Sequence, residues 1–268
     1  MFHHWLRGFN LPRRLSRLSC AGMIVLGATL ARAEEAKPSD PPKVAMCCPL
    51  AVSRGGTTKV TLRGWLVDKA TAVKCDNDQV TLKILSQGAA AIPAKQEAKQ
   101  IGDQQLELEV TVAAEVAAGR VLLTVVTPGG ESKPAVLLVG GDLQVVAETE
   151  PNDGFRQAQL IAPSQIVDGQ IHGDGNVDVF AIEITEKTNL SVEVQAQSLG
   201  SGLDSLLTLY NAAGSVMASN DDGDATTDSK LEATLEPGRY FVCVQDAHDR
   251  GGVAHPFRLV VRPVAGAK

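Results

Sequence analysis

From about residue 43 onward, apolar and polar positions alternate along the chain. In the stretch from Leu106 to Val112, every second residue is leucine or valine, and the residues between them are Glu107, Glu109 and Thr111. The same period of two recurs from Val80 to Ile84. A period of two is typical of a strand with one buried face. The pattern predicts an all-β protein.

Turn signals divide the first half of this region at short intervals. They are Arg54-Gly55-Gly56, Asp76-Asn77-Asp78, Ile101-Gly102-Asp103 and Thr127-Pro128-Gly129-Gly130. Short strands at regular spacing indicate a small sandwich. We predict an immunoglobulin-like β-sandwich over residues 43–141, preceded by a flexible linker over residues 34–42.

The order of motifs in this half carries a family resemblance. Pro49 and the Arg54 turn lead to Val60-Thr61-Leu62-Arg63-Gly64-Trp65-Leu66, followed much later by the Thr127 turn and Glu131-Ser132. This order resembles the immunoglobulin-like domain shared by plexins and transcription factors (IPT/TIG). The resemblance implies a spacer or an interaction module.

The second half begins after Gly140-Gly141-Asp142, where the composition shifts to closely spaced acids. Clean alternation then returns, for example from Phe180 to Ile184, from Leu190 to Ala196 and from Phe257 to Val261. No segment has a convincing helical period. We predict a linker over residues 142–154 and a jelly-roll sandwich over residues 155–264.

The first 33 residues have the pattern of a cleaved signal peptide. They contain five arginines and no acid, then an apolar run from about Leu18 to Leu30, then Ala31-Arg32-Ala33. The run is shorter than the roughly 20 residues that a membrane span needs. We therefore predict an exported protein, periplasmic, on the cell surface or extracellular, without a membrane span. Arg13-Arg14 leaves open the twin-arginine route beside the general one.

The charge balance restricts the partners. Removal of five arginines from a net charge of −6 leaves residues 34–268 at −11. An acidic surface disfavours nucleic acid and anionic membranes and favours cations or basic partners. The sequence identifies no particular partner, and an extracellular protein or a polysaccharide is expected.

Four cysteines remain after residue 33, and they allow three interpretations. Export makes a disulfide plausible, and Cys47 or Cys48 is the preferred partner of Cys75. The alternatives are unpaired thiols and, less favoured for lack of a Cys-x-x-Cys spacing, a zinc site. Cys243 lies between two valines and is expected to be a buried free thiol.

Oxygen-bearing side chains are concentrated at the boundary between the two halves. Four of them lie within six residues: Glu148, Glu150, Asn152 and Asp153. Asp174, Asn176 and Asp178 follow at alternate positions and share a side if that segment is extended. Calcium prefers six to eight oxygen ligands from carboxylates, amides and carbonyls. The cluster predicts a calcium site, although acidic linkers are also commonly just solvated.

The motif order of the second half resembles a known family. It runs through Glu150-Pro151-Asn152-Asp153, Asp178-Val179-Phe180, Leu203-Asp204-Ser205-Leu206 and Pro237-Gly238-Arg239-Tyr240. This order is similar to the bacterial pre-peptidase C-terminal domain and, in fold, to the collagen-binding domains of clostridial collagenases. The resemblance implies Ca²⁺ bound by Glu148, Glu150, Asn152, Asp153 and Asp178. The resemblance implies Asn176 or Asp174 as a further, less certain ligand. Asn176 stands where relatives commonly have aspartate, which removes one charge from the site.

Catalysis is not predicted. No Gly-x-Ser-x-Gly, His-Glu-x-x-His or cysteine–histidine arrangement surrounds His172, His248 or His255, and no catalytic residue is assigned. The cluster from Asn220 to Asp224 is interpreted as a solvated turn, because it lacks the spacing of an EF-hand loop. We predict a secreted, non-catalytic binding or accessory protein. The alternatives are a carbohydrate- or matrix-binding module and an accessory domain of a secreted peptidase system.

Overall fold

The computed structural model describes residues 40–93, 96–223 and 226–265. The predicted signal peptide over residues 1–33 and most of the 34–42 linker lie outside these ranges. Within them nearly all of the regular secondary structure is strand, as the alternating pattern predicts. The described residues from 40 onward lie in one compact unit.

The first sandwich is formed by nine strands. They are β1 (Lys43–Cys48), β2 (Ala51–Val52), β3 (Gly56–Trp65), β4 (Ala72–Cys75), β5 (Val80–Ala89), β6 (Gln104–Val112), β7 (Gly119–Thr127), β8 (Gly130–Glu131) and β9 (Ala135–Val139). A short 3₁₀ turn at Val67–Lys69 and helix α1 (Ala98–Ile101) connect strands.

The strand order confirms the immunoglobulin-like prediction. One sheet has the order β1-β3-β6-β5 and the other β2-β9-β7-β4, with β8 paired to β7. When β1 is labelled A, β2 A′ and the later strands B to G, with β8 left out, the sheets have the orders A-B-E-D and A′-G-F-C. This is the immunoglobulin arrangement. The alternating side chains of β6 form the centre of the core, since Leu106, Leu108, Val110 and Val112 are all at most 1% exposed.

The expected disulfide is absent, because Cys47, Cys48, Cys75 and Cys243 are all free thiols. The topology explains why the preferred pairing is wrong. Cys47 and Cys48 are on β1, at one edge of the first sheet, whereas Cys75 is on β4, at the edge of the second sheet beside β5. The two edges lie at opposite ends of the sandwich. Cys243 is buried, as predicted.

The second sandwich is formed by ten strands. They are β10 (Gln144–Ala147), β11 (Gln159–Ile161), β12 (Gln165–Gln170), β13 (Val177–Ile184), β14 (Thr188–Gln195), β15 (Ser205–Asn211), β16 (Val216–Asn220), β17 (Lys230–Leu235), β18 (Gly238–Asp246) and β19 (Pro256–Pro263). One 3₁₀ turn, Gln197–Leu199, follows β14.

These strands have jelly-roll connectivity. The sheets have the orders β10-β12-β19-β14-β17 and β11-β13-β18-β15-β16. From β12 to β19 the order within each sheet follows the two interlocked Greek keys of a jelly roll. The core between the sheets contains Phe180 and Phe257, whose rings meet edge to face with centroids 6.3 Å apart.

One predicted boundary needs correction. Residues 142–154 are not simply a linker, because Gln144–Ala147 forms β10 and pairs in parallel with β12 over four residues. The pairing continues as the amide of Glu148 donates to the carbonyl of Asp168 at 3.0 Å. The second sandwich therefore begins at Gln144, and the acidic cluster directly follows its first strand.

Candidate metal centre

The segment from Glu148 to Asp153 is tied to both sheets of the second sandwich. Glu148 extends the pairing of β10 with β12, which belongs to one sheet. The carbonyl of Asn152 accepts a hydrogen bond from the amide of Val179 at 2.9 Å, and Val179 is on β13 in the other sheet. The Glu150–Pro151 peptide between these anchors is cis. The segment thus closes one end of the sandwich.

Two polar side chains form a buried floor beneath this segment. Asn152 and Asp178 are each 0% exposed. Asp178 is on β13, two positions before the core residue Phe180, so that both side chains are on the inner face, as the sequence predicts. Both carboxylate oxygens of Asp178 and the amide oxygen Oδ1 of Asn152 have no hydrogen-bond partner. Three buried oxygens of these two residues are therefore unpartnered, and each one costs free energy.

Two glutamates form the wall, and hydrogen bonds hold both. Glu148 Oε1 accepts from Asn152 Nδ2 at 2.9 Å, and its Oε2 accepts from the amide of Gln170 at 2.8 Å. Glu150 Oε2 accepts from the amide of Asn152 at 2.9 Å. Because Nδ2 of Asn152 points to Glu148, the Oδ1 atom is free for another ligand.

Gly169 makes room for this wall. A Cβ atom added there would lie 2.9 Å from Glu148 Oε2 and 2.6 Å from a ring carbon of Phe257. Distances this short require one neighbour to move. Glycine at this position on β12 allows the carboxylate of Glu148 to approach the strand backbone closely.

The surroundings of Asp178 disfavour its ionised form when no cation is bound. Burial first, and then the nearby carboxylates of Glu148, Glu150 and Asp153, raise the pKa of Asp178 to about 9. A divalent cation would lower the pKa of Asp178, since its positive charge favours the ionised carboxylate. It would also give the unpartnered oxygens a partner. The four carboxylates of Asp178, Glu148, Glu150 and Asp153, together with the amide oxygen of Asn152, fit the oxygen preference of Ca²⁺.

The remaining predicted ligands differ in their roles. Asn176 has both polar ends occupied: its Oδ1 accepts from the amide of His172 at 2.8 Å, and its Nδ2 donates to Asp153 Oδ1 at 2.9 Å. It therefore holds Asp153 in position. Asp174 is exposed in a turn, and Gly175 with φ +73° follows it. The segment is not extended there, so the expected alternation does not extend to Asp174.

Sequence analysis did not include His172 among the candidate ligands. Its side chain is 54% exposed, and its Nδ1 atom is 3.0 Å from Glu150 Oε1. Ligand atoms of Glu148, Glu150 and His172 lie within 4.8 Å of one another. The only signal in the sequence was the proximity of His172 to Asp174 and Asn176, which does not show where its ring points.

The second acidic cluster has the features of a solvated turn. Asp221 and Asp222 are exposed, and Asn220 Oδ1 accepts from the amide of Lys230 at 2.9 Å. Asp224 lies outside the described residues. The backbone amide of Asp204 donates to the buried Asp246 at 3.1 Å.

The fold of the second sandwich agrees with the family comparison. Residues 176–246 match the sequence model of the bacterial pre-peptidase C-terminal domain. This confirms the predicted resemblance for the second sandwich. The domain that this model describes is a non-catalytic accessory domain. Among the described residues, no helix combines the length and apolarity that crossing a bilayer requires.

Relatives and solved structures share parts of the chain. Collagenase ColA of Clostridium perfringens is 31% identical over 127 residues, which are 46% of this chain and 11% of that protein. A protein described as a probable subtilase-type serine protease from Deinococcus radiodurans is 33% identical over 141 residues, 50% of this chain and 18% of that protein. The crystallised pre-peptidase C-terminal domain of a collagenase from Bacillus anthracis is 16% identical and covers 43% of this chain and 100% of that chain, with a TM-score of 0.34. This chain thus spans less than a fifth of the length of either of these two relatives.

Proposed function

Since residues 176–246 match a pre-peptidase C-terminal domain, we propose that this protein is an exported, non-catalytic binding or accessory protein whose second sandwich is stabilised by calcium. The named relatives are a collagenase and a subtilase-type protease, which supports a role beside secreted enzymes. The immunoglobulin-like first sandwich supplies a second surface for contacts. Whether that sandwich belongs to the IPT/TIG family stays a prediction.

One observation carries the calcium proposal. Asp178 and Asn152 are completely buried, yet three of their oxygens have no partner. A folded protein rarely leaves several buried oxygens together without a ligand. Glu148, Glu150 and Asp153 add carboxylates at the same place, and these repel Asp178. A hard cation is the ligand that satisfies both the oxygens and the charge.

Calcium has a structural role in this proposal. The metal would neutralise the acids that follow β10 and hold the cis-proline segment against β12 and β13. Because β10 comes only a few residues after β9, the metal would also define the path of the chain between the sandwiches. An ion that binds only the folded form stabilises it by mass action.

Thermal unfolding tests the calcium proposal directly. The chain from Glu34 onward is melted in excess chelator, in millimolar calcium and in millimolar magnesium. An ion at about 100 times its Kd stabilises by about 2.7 kcal/mol, which corresponds to a rise of several degrees in Tm. Equal Tm values in all three solutions would contradict the proposal.

A matched pair of variants locates the site. Glu150→Ala removes a wall ligand whose side chain is partly exposed, so we expect the sandwich to fold but the calcium-induced rise in Tm to shrink. Asp222→Ala removes an exposed acid from the second acidic cluster and is expected to leave the rise unchanged. If the two variants respond identically to calcium, Glu150 is not a ligand.

The absence of catalysis in this proposal is tested with enzyme assays. We expect the purified protein not to hydrolyse casein, gelatin or chromogenic peptides, with or without calcium. Reproducible turnover that survives a second purification step would show that the protein is an enzyme.

The alternative of carbohydrate binding is favoured by an aromatic surface that the sequence did not predict. Phe155 is 40% exposed and stacks on Phe241 with ring centroids 4.6 Å apart, and Tyr210 meets it edge to face at 5.2 Å. Tyr240, by contrast, belongs to the core between the sheets.

Register extends this surface across the whole sheet. Leu160, Ala181, Phe241, Tyr210 and Val216 are paired directly from strand to strand and so share the outer face. Leu160 and Val216 are 63% and 60% exposed. An exposed ring above an apolar row suits the flat apolar face of a sugar ring.

Affinity electrophoresis in gels that contain soluble polysaccharides tests this alternative. The proposal would be supported if a glucan or xylan retards the wild type, if Phe155→Ala loses the retardation, and if the control variant Leu122→Ala on the first sandwich keeps it. Unchanged mobility in every polysaccharide would contradict carbohydrate binding and would favour contacts with another protein as the function of this surface.

A further inference from the structure

We propose that His172 adds an imidazole nitrogen to the outer part of the metal centre, so that Glu148, Glu150 and His172 bind a divalent transition-metal ion such as Zn²⁺. This inference rests on the proposed function only in that the pocket attracts cations. It assigns to the outer part of the pocket a ligand class that the calcium proposal does not include.

The geometry fits three ligands of one ion. The ligand atoms of the three residues lie within 4.8 Å of one another, and His172 Nδ1 is 3.0 Å from Glu150 Oε1. Zinc holds nitrogen and carboxylate oxygen at about 2.0–2.2 Å, so two ligands of one ion are separated by at most about 4.4 Å. Small side-chain rotations therefore suffice to bring all three onto one ion.

Hydrogen bonds position two of the three proposed ligands before a metal binds. Glu148 accepts hydrogen bonds from Asn152 and from the amide of Gln170. The backbone of His172 is held where its amide donates to Asn176 Oδ1 at 2.8 Å. Glu150 and His172 are 33% and 54% exposed, so an ion reaches them from solvent.

The outer ligands differ in chemistry from the floor. The unpartnered atoms of the floor, on Asp178 and Asn152, are all oxygens and are fully buried. Calcium prefers such oxygens, whereas imidazole nitrogen suits zinc, copper, nickel and related ions. One nitrogen and two carboxylates form a ligand set that zinc accepts, with a remaining position for water.

A matched control exists within the same domain. His248 Nδ1 lies 3.2 Å from Asp204 Oδ2, and the histidine is 64% exposed. This pair resembles the contact of His172 with Glu150, but no second acid completes a group of three there among the described residues. His248→Gln therefore removes an exposed histidine beside a carboxylate without touching the proposed ligands.

Calorimetric titration with ZnCl₂ tests the proposal. The experiment uses the chain from Glu34 onward with both accessible thiols replaced, Cys48→Ser and Cys75→Ser, so that cysteine does not compete for the metal. We expect His172→Gln to weaken zinc binding at least tenfold and His248→Gln to leave it unchanged. Electron paramagnetic resonance of bound Cu²⁺ should show coupling to nitrogen in the parent protein and lose it in His172→Gln.

The outcomes separate this inference from the calcium proposal. Zinc binding of equal strength in the parent and His172→Gln, or a Cu²⁺ spectrum without nitrogen coupling, would overturn the inference. In His172→Gln the calcium-induced rise in Tm should persist. A parent protein that binds zinc through His172 and shows no response to calcium would refute the calcium proposal alone.

Discussion

Replacing Asp178 by asparagine should stabilise the metal-free protein and remove its response to calcium. The carboxyl group of Asp178 is fully buried and has no hydrogen-bond partner for either oxygen. Its pKa rises from an ordinary 3.8 to about 9, mainly through burial and then through the neighbouring carboxylates. At neutral pH, folding without metal therefore requires this carboxyl group to take up a proton.

The size of the effect follows from proton linkage. The unfolded carboxyl group ionises above pH 3.8, whereas the folded one stays protonated up to about pH 9. Stability is thus greatest below pH 3.8 and is lost as the pH rises toward 9. Each pH unit costs about 1.4 kcal/mol, so that the three units up to pH 7 cost on the order of 4 kcal/mol. Asparagine has no proton to take up and avoids this cost.

Thermal unfolding in excess chelator measures the difference. At pH 8 we expect Asp178→Asn to melt at least ~5 °C above the wild type, because 1 kcal/mol corresponds to about 2–4 °C in a unit of roughly 150–250 residues. At pH 4.5 the two proteins should melt close together. Calcium should raise Tm in the wild type only.

The opposite order of melting temperatures would refute this reasoning. If Asp178→Asn melted below the wild type in chelator at both pH values, the carboxyl group would be making favourable contacts in the metal-free protein. A calcium response retained in full by the variant would show that Asp178 is not a ligand.

Three further predictions concern other parts of the fold. Gly169→Ala should displace the carboxylate of Glu148 and reduce the calcium-induced rise in Tm, which the same melting assay measures. An unchanged rise would show that Glu148 keeps its position beside a methyl group. Leu108→Ala, in the first core, should lower the free energy of unfolding by about 2–5 kcal/mol in urea titrations while the calcium response persists; a loss below 1 kcal/mol would contradict the packing. Without reductant, a thiol reagent should label Cys48 in the native protein and Cys47 only in denaturant. The reason is that burial raises the pKa of the Cys47 thiol and excludes the reagent. A thiol that stays unlabelled in denaturant would indicate a disulfide.

Much of the fold follows from local patterns in the chain. A period of two in apolar residues requires strands with one buried face, and glycine- and proline-rich turns define where those strands end. The stretch from Leu106 to Val112 needed no tertiary information to be recognised as a core strand. The site was also visible, because Glu148, Glu150, Asn152 and Asp178 occur in a motif order that resembles a known family.

Other features depended on which strands become neighbours. Cys47 and Cys75 are both near the first core, but their strands form edges at opposite ends of the sandwich, and no spacing in the sequence reveals this. Residues 144–147 read as part of a linker until β12 supplied a partner for them. Pairing between distant segments decided both cases.

The sequence by itself determined the strands, the two halves and the set of proposed oxygen ligands, since these depend on residue type and on spacing within a few positions. Only the tertiary structure decided the burial of Asp178, the approach of His172 to Glu150 and the exposure of the ring of Phe155. Each of these depends on how two sheets and the segment between them close on one another, because burial and distance arise from residues far apart in the chain.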